Sequence, residues 1–146
     1  MIYAYLIKYA DLRQAKERIL SEYSKVKGNT YTIEYLPSGA PQLLSDGKPN
    51  GHVSISHTDG VLAMAFSDEK VGVDIERADR AVSSKICKSI EDWTRIEAYA
   101  KWTGNGLSKG LLYGQMPEDI ISTRKWQEYV ISVCSQCQGV EIIQLC

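Results

Sequence analysis

The chain has 146 residues and a mass of 16.3 kDa, which suits one compact domain or two small half-domains that share a core. Its composition, 44% hydrophobic and 24% charged, excludes a disordered or fibrous protein, and its net charge of −1 gives no overall basic signal for nucleic acid. No apolar run approaches the ~20 residues of a transmembrane helix, and residues 1–8 lack the basic leader of a signal peptide. We therefore expect a cytoplasmic protein without membrane or nucleic-acid partners.

The N-terminal third of the chain predicts a strand, a helix, a second strand and a loop. Residues 2–9 are β-branched, aromatic and apolar on both faces, which is typical of a central strand. Over residues 11–27 the apolar side chains recur at helical spacing, with an aspartate at the start as the cap and Gly28 at the end. Residues 30–36 predict a strand, and the prolines and glycines of residues 37–51 predict a loop.

The rest of the chain predicts three short strands, over residues 52–58, 61–67 and 71–76, followed by a helix over residues 84–102. A glycine-rich stretch over residues 104–114 and a closing hairpin over residues 127–145 complete the chain. The helix is either continuous or broken near Asp92. The hairpin joins strands 127–135 and 140–145 through a turn at residues 138–139. Helices mixed with mostly antiparallel strands, without a linker between them, predict a protein of the α+β class.

The clearest chemical signal lies in residues 71–76, which read VGVDIE. Because the side chains of a strand alternate between faces, Asp74 and Glu76 share one face with Gly72, which keeps their neighbourhood open. Two like charges about 4 Å apart repel by roughly 1 kcal/mol in water and by about 4 kcal/mol at an effective dielectric of about 20. A divalent cation would relieve this repulsion, and oxygen ligands with an open side suit Mg²⁺. The alternative is an ordinary solvated strand face.

A second segment, residues 93–107, places Trp93, Glu97 and Lys101 on one face of a helix, since they follow at intervals of four residues. Glycines after this helix would permit a ligand to approach the backbone closely. Taken by itself, the segment favours a plainer interpretation. Thr94 and Glu97 have the spacing of a capping box, and Glu97 and Lys101 have that of an ordinary helix ion pair.

A third segment, VSISHT over residues 53–58, makes Ser56 and His57 neighbours on a strand. Their side chains face opposite ways, so they cannot form a serine–histidine hydrolase pair, and the chain has no G-x-S-x-G turn. A histidine and hydroxyl groups at a strand end could instead hold a phosphate. The alternative is that His57 is a buried structural residue.

The four cysteines do not have the spacing of a disulfide framework. Cys134 and Cys137 could form half of a zinc site, but a structural site takes four ligands and both histidines lie far away in sequence. Ordinary strand cysteines, kept reduced in the cytoplasm, are the favoured interpretation.

In chain order the motifs G-x-P, S-I-S-H-T, G-V-D-I-E and W-T-x-x-E-A-x-x-K-x-x-G-x-G-L resemble those of the 4′-phosphopantetheinyl transferases, specifically the surfactin-synthetase-activating type. The resemblance covers residues 39–107. It implies one catalytic unit over residues 1–146 with two similar α+β halves, residues 1–70 and 71–146, a pseudo-twofold axis and an active site between the halves. The implied activity transfers the 4′-phosphopantetheine arm of coenzyme A to a serine of an apo carrier protein and releases adenosine 3′,5′-bisphosphate.

The resemblance also implies roles for individual residues in the second half. Asp74, Glu76 and Glu97 match the family's Mg²⁺ ligands, and Glu97 also matches the residue that removes the proton of the carrier serine, directly or through a water. Lys101 matches the lysine that neutralises the transferring phosphate. These roles agree with phosphoryl-transfer chemistry, which depends on positioning and charge neutralisation.

For coenzyme A, the resemblance implies ligands in the first half. Ser56 and His57 match the pair beside its 3′-phosphate. The family's G-K-P loop corresponds either to residues 39–41, which read G-A-P and lack the lysine, or to residues 47–49, which read G-K-P and supply Lys48.

Departures from the family keep other functions open. Ile96 stands where the family has a lysine before its third glutamate, and the stretch between Glu76 and Trp93 is short. One alternative is a catalytically impaired relative that binds coenzyme A or a carrier protein without transfer. Another is a metal-dependent nuclease, because D…E-x-x-x-K resembles acid–acid–lysine sites, although those place glutamate and lysine two residues apart on a strand.

Overall fold

The computed structural model describes residues 1–82, 87–104, 114–137 and 139–146. Helices and strands are mixed along this part of the chain, which confirms the α+β class. No described helix is both long and apolar enough to cross a membrane. The elements are β1 (Ile2–Lys8), α1 (Leu12–Lys27), β2 (Tyr31–Tyr35), β3 (Pro41–Ser45), β4 (Lys48–Pro49), β5 (His52–Thr58), β6 (Val61–Ser67), β7 (Gly72–Arg77), α2 (Ile90–Thr103), a 3₁₀ turn (Glu118–Ile120), β8 (Ile121–Trp126), β9 (Tyr129–Cys134) and β10 (Val140–Leu145).

Within the described residues the strands form three sheets. The first has the order β10-β1-β6-β5, in which β1 pairs antiparallel with β6 and parallel with β10. The second, β2-β3-β4, and the third, β7-β9-β8, are antiparallel. The central place of β1 agrees with the apolar character of both its faces.

The hydrophobic core lies on both faces of the first sheet. One face packs against the third sheet in a cluster that includes Leu6 and Val73. The other face is covered by α1, in a cluster that includes Ile19 and Phe66. α2 packs on the outer face of the third sheet, where Ile96 is fully buried. This layering brings the β5 edge of the first sheet beside the β7 edge of the third.

Local signals set both ends of α1, as predicted. Asp11 Oδ1 accepts a hydrogen bond from Gln14 N at 3.0 Å, and Gly28 ends the helix in a left-handed conformation with φ of 72°. A capping side chain and a left-handed glycine satisfy backbone groups that the helix ends would otherwise leave unpaired.

The helix predicted over residues 84–102 begins later than expected. α2 starts at Ile90, because the Ser89 side chain accepts a hydrogen bond from Asp92 N at 3.1 Å and caps the helix there. Asp92 lies in the first turn, so no break occurs at that residue. The helix ends at Gly104, with φ of 64°. Some residues of the predicted helix start and most of the glycine-rich stretch lie outside the described residues.

The loop predicted over residues 37–51 is wrong, since the segment contains the hairpin of β3 and β4. Asp46 and Gly47 form its turn with φ of 52° and 75°, the conformation of a two-residue type I′ turn. Pro41 and Pro49 occupy the first and last positions of their strands, where a missing N–H is tolerated. These prolines therefore mark strand ends.

The predicted closing hairpin between β9 and β10 is also wrong. β9 pairs with β8 through a turn at residues 127–128, and β7 occupies its other edge. Because both edges of β9 are taken, β10 runs parallel to β1, with Val140 opposite Ile2. This pairing covers an edge of β1 that would otherwise expose its backbone groups.

Candidate functional site

The candidate site lies where the β5 edge of the first sheet meets the β7 edge of the third. Two serines of β5 join these edges, since Ser54 Oγ accepts a hydrogen bond from Val73 N at 3.0 Å and Ser56 Oγ accepts one from Ile75 N at 3.1 Å. Both serines are buried. Their hydroxyl groups take the place of the carbonyl oxygens that would bind these N–H groups in a continuous sheet. We call this junction of β5 and β7 the seam.

Asp74 projects from the seam on the side opposite to the apolar residues of β7, as strand alternation predicts. Its Oδ1 accepts a hydrogen bond from Ser56 Oγ at 3.2 Å, whereas its buried Oδ2 has no hydrogen-bond partner among the described residues. Burial raises the pKa of Asp74 to about 7, against an opposing effect of Lys101. The negative charges of Glu76 and Glu97 raise this pKa further. The fold thus holds a carboxylate whose charge it does not fully satisfy.

α2 approaches β7 closely because position 72 is a glycine. A Cβ atom on Gly72 would clash with Ala98 O and would lie 2.8 Å from Trp102 N. The expectation that this glycine keeps space open beside the carboxylates is therefore wrong, since the backbone of α2 fills that space. The close approach brings the side chains of α2 to the seam.

Lys101 anchors the last turn of α2 to both strands of the seam. Its Nζ donates to Ile55 O at 2.9 Å and to Val73 O at 3.0 Å, and it lies 3.9 Å from Asp74 Oδ1. Burial lowers the pKa of Lys101, and the nearby carboxylates oppose that effect. An ammonium group has three hydrogens. One therefore remains for a carboxylate or for a ligand.

A cavity of about 370 Å³ beside the seam collects the side chains of the three sequence segments. It is lined by residues of β5, of β7 with its following turn, and of α2, namely Ile55, Ser56, His57, Asp74, Glu76, Arg80, Trp93, Glu97 and Lys101. Of the predicted site residues, Lys48 alone does not line it and lies exposed on β4. The tertiary structure thus unites motifs that are far apart in sequence.

The capping-box interpretation of Thr94 and Glu97 is wrong, since Ser89 caps α2 and both residues lie inside the helix. Thr94 is fully buried, where its Oγ1 donates to Glu91 O at 2.8 Å and lies 2.9 Å from Ser132 Oγ. Glu97, three residues further, lines the cavity. The threonine therefore fastens α2 to the third sheet, and the glutamate faces the cavity.

Ser56 and His57 have different environments, as expected of neighbours on a strand. Ser56 is buried in the seam, whereas His57 is exposed, with its Nδ1 3.4 Å from the Tyr9 hydroxyl. The alternative of a buried structural histidine is therefore wrong. His57 is nevertheless among the residues that line the cavity.

Arg80 lines the cavity although no sequence motif singled it out. The chain turns after β7, where Arg80 N donates to Arg77 O at 3.2 Å. The side chain returns to the strand, so that Nη1 lies 2.7 Å from Glu76 Oε2. The sequence did contain a signal, since this arginine follows the D-x-E pattern by four residues within a short turn.

The carboxylates of the cavity suit a cation, although they do not converge on one. Asp74, Glu76 and Glu97 offer the oxygen donors that Mg²⁺ prefers, and Asp74 Oδ2 lacks a hydrogen-bond partner among the described residues. In the described ranges no three His, Cys, Asp or Glu side chains are grouped closely enough to hold a metal ion. A cation that used Glu76 would have to compete with Arg80 for it.

The cysteines likewise form no metal-holding group in the part of the chain that the structure describes. Cys134 is buried between α2 and the third sheet, and burial raises the pKa of its thiol to about 12. Cys137 Sγ lies 3.3 Å from the N-terminal amino group. None of the four cysteines forms a disulfide, but only Cys134 lies on a strand, so the expectation of strand cysteines is confirmed for that residue alone and is wrong for the other three.

A larger cavity of about 760 Å³ adjoins the first and shares Ile55 and Lys101 with it. Residues 39–41, one of the two candidates for the family's G-K-P loop, line this cavity. The other candidate for this loop is residues 47–49, of which only Pro49 lines the larger cavity. Lys48 lines neither cavity.

No protein-family model matches the chain, and no curated protein resembles it significantly. The fold and the site by themselves define an α+β protein with a carboxylate-rich cavity, where two sheet edges meet a helix.

Proposed function

We propose that the protein is a Mg²⁺-dependent 4′-phosphopantetheinyl transferase, which moves the 4′-phosphopantetheine arm of coenzyme A to a serine of an apo carrier protein. The observation that carries the proposal is the convergence of three motifs on one cavity, with Ser56 and His57 from the first, Asp74 and Glu76 from the second, and Glu97 and Lys101 from the third. Unrelated chance matches in three segments would have no reason to line the same cavity.

The charged residues of the cavity match the needs of phosphoryl transfer, which depends on positioning and charge neutralisation. Asp74, Glu76 and Glu97 would hold Mg²⁺, which when bound supplies positive charge to the diphosphate of coenzyme A. Lys101 Nζ is fixed by two backbone carbonyls, so its charge is in place before the reaction and needs no rearrangement. Glu97 would accept the proton of the carrier serine.

His57 and Ser56 take different roles in this proposal. His57 is exposed at the border of the cavity and would bind the 3′-phosphate of coenzyme A, a group that does not react. Ser56 is buried, and its hydroxyl already contacts Asp74 and Ile75 N. We therefore assign Ser56 to orienting Asp74 rather than to direct contact with the 3′-phosphate.

The proposal is tested by mixing the protein with coenzyme A, Mg²⁺ and a panel of apo carrier proteins, and then weighing the carriers by mass spectrometry. We expect at least one carrier to gain the arm while adenosine 3′,5′-bisphosphate appears in equal amount. A chelator should stop the reaction, and a carrier with alanine in place of its serine is the matched control. If no carrier gains the arm, the proposed transfer is wrong.

A second candidate is a relative that binds coenzyme A or a carrier protein without transfer. Ile96, at the position of a family lysine, is fully buried on the face of α2 that packs against the third sheet and leaves no charge there. Tight binding of coenzyme A in calorimetry, with no arm on any carrier, would favour this candidate.

A further inference from the structure

Arg80 has no role in the proposed transfer, although it lines the cavity and pairs with one of its carboxylates. Its Nη1 is 2.7 Å from Glu76 Oε2, and the turn after β7 holds its backbone against Arg77 O at 3.2 Å. The Glu76 side chain is 12% exposed and the Arg80 side chain 53%. The guanidinium thus reaches in from solvent to cover a nearly buried carboxylate.

The charges of the cavity explain why Glu76 has a cation, Arg80, as its partner. Among the described residues that line the cavity, three carboxyl groups lie near two cations, Arg80 and Lys101, so the acidic groups outnumber the basic ones. Lys101 donates hydrogen bonds to two backbone carbonyl oxygens, and it cannot move towards Glu76 without breaking these hydrogen bonds. Asp74, only 6% exposed, keeps one oxygen without a hydrogen-bond partner among the described residues. Of the described cations in this lining, Arg80 is therefore the one whose side chain can move away from its partner.

We propose that Arg80 is the internal counter-ion of this site, which a divalent cation displaces from Glu76 and which then binds an anionic phosphate oxygen of the ligand. An arginine suits both states, because its planar guanidinium pairs with carboxylates and with phosphates. Its half-exposed side chain can move without opening the core. The phosphate ligand rests on the proposed function, and the competition between Arg80 and a metal ion rests only on its metal-binding part, not on transfer to a carrier.

The competition is tested by titrating the purified protein with Mn²⁺, as a paramagnetic substitute for Mg²⁺, and measuring free Mn²⁺ by electron paramagnetic resonance. In Arg80→Gln we expect Mn²⁺ to bind about three- to tenfold more tightly, because a competing charge next to Glu76 is gone. Arg80→Lys retains the charge and should bind like the wild type. Arg77→Gln is the matched control, since Arg77 pairs with Asp59, Asp79 and Glu128 instead.

The second half of the proposal is tested with inorganic phosphate, titrated by calorimetry at saturating Mg²⁺. Arg80→Gln should bind phosphate several-fold more weakly than the wild type, so that one substitution changes the two affinities in opposite directions. If Arg80 had only a structural role, its substitution would change the Mn²⁺ affinity and the phosphate affinity in the same direction. Unchanged or weaker Mn²⁺ binding in Arg80→Gln would overturn the proposed competition, and so would an equal gain in Mn²⁺ affinity in Arg77→Gln. Unchanged phosphate binding in Arg80→Gln would overturn the proposed contact between Arg80 and the phosphate.

Neither titration contains coenzyme A or a carrier protein. Opposite changes in the two affinities would therefore support the role of Arg80 even if no carrier is ever modified. Transfer activity combined with unchanged Mn²⁺ binding would reject the role of Arg80 and leave the proposed function standing.

Discussion

Two strand junctions in this protein are built in opposite ways. Between β1 and β6 the strands share a continuous backbone ladder, and side chains such as Leu6 and Phe66 are completely buried on its two faces. At the seam between β5 and β7, the hydroxyl groups of Ser54 and Ser56 bridge the strands, and a carboxylate and an ammonium group lie beside them. Apolar burial stabilises the first junction, whereas buried polar groups at the second are tolerated only with partners.

The comparison shows that the β1–β6 junction contributes stability, whereas the seam contributes the polar groups of the candidate site. The β1–β6 junction belongs to two hydrophobic clusters and can support the free-energy cost of the seam. The seam holds Asp74 with an unsatisfied oxygen among the described residues and a raised pKa, which is unfavourable for folding but useful for binding a cation. Substitutions at the two junctions should therefore have opposite consequences.

The largest expected effect is on activity at the seam. If the proposed function is correct, Glu97→Gln should lower the rate of transfer by about 10²–10⁴-fold, because it removes the charge that we assign to the metal and to the carrier serine. Its melting temperature should stay near that of the wild type, since the cap of α2 is Ser89 and glutamine is nearly the same size as glutamate. The rate constant and thermal unfolding are measured on the same preparation, and an unchanged rate would reject the catalytic assignment.

At the β1–β6 junction the largest effect is on stability. Phe66→Ala should lower the free energy of unfolding by about 3–5 kcal/mol, because Phe66 is fully buried and stacks on Tyr23 at a ring distance of 4.0 Å. Urea denaturation measures the change. Val26→Ala, on an exposed part of α1, is the control and should have little effect. A loss for Phe66→Ala as small as that of the control would contradict the contrast between the junctions.

Asp74→Asn should separate stability from function most clearly. Folded Asp74 keeps its proton until about pH 7, whereas the unfolded carboxyl releases it near pH 3.8, so the folded state binds more protons between these values. Its contribution to wild-type stability therefore falls as the pH rises through this window. With a chelator present, Asp74→Asn should be more stable than the wild type by about 1–3 kcal/mol at pH 8 and by less at pH 5.

The same variant should lose transfer and should no longer be stabilised by Mg²⁺. Asp79→Asn provides the control, since the Asp79 carboxyl is exposed and its pKa is lowered by the hydrogen bond from Arg77. A gain in stability that does not depend on pH would show that charge at Asp74 is not its cause.

The smallest expected effects distinguish the two serines of the seam. Ser54→Ala and Ser56→Ala each remove the acceptor of one backbone N–H, and each should lower the free energy of unfolding by about 1–2 kcal/mol. Only Ser56 also donates to Asp74. The rise in melting temperature caused by Mg²⁺ should therefore shrink in Ser56→Ala and persist in Ser54→Ala. Equal responses of the two variants would reject the role of Ser56 in orienting Asp74.

The sequence predicted those features that depend on near neighbours along the chain. The cap at Asp11 and the glycine at position 28 determine the ends of α1, and both act over a few residues. Alternation along β7 correctly separated the apolar residues from Asp74. Periodicity likewise placed Glu97 and Lys101 on one side of a helix, and both line the cavity.

Predictions failed where two local signals competed or where a distant segment was involved. Thr94 and Ser89 both had the residue type of a helix cap, and the contact of Thr94 with Ser132 of β9 accompanies its burial inside α2. β10 had the pattern of a hairpin strand, but the edge of its expected partner was already occupied by β7. Neither outcome is encoded within a window of a few residues.

By itself, the sequence determined the α+β class, the ends of α1 and the set of motif residues, because capping, alternation and helical spacing act between residues close along the chain. The tertiary structure decided the rest of the site. It closed α2 onto Gly72, fixed Lys101 on two carbonyls and turned Arg80 back onto Glu76. The positions of α2 and Lys101 depend on which sheet edges meet and how closely the backbones can pack. The position of Arg80 depends on the conformation of a turn, which sequence periodicity does not predict.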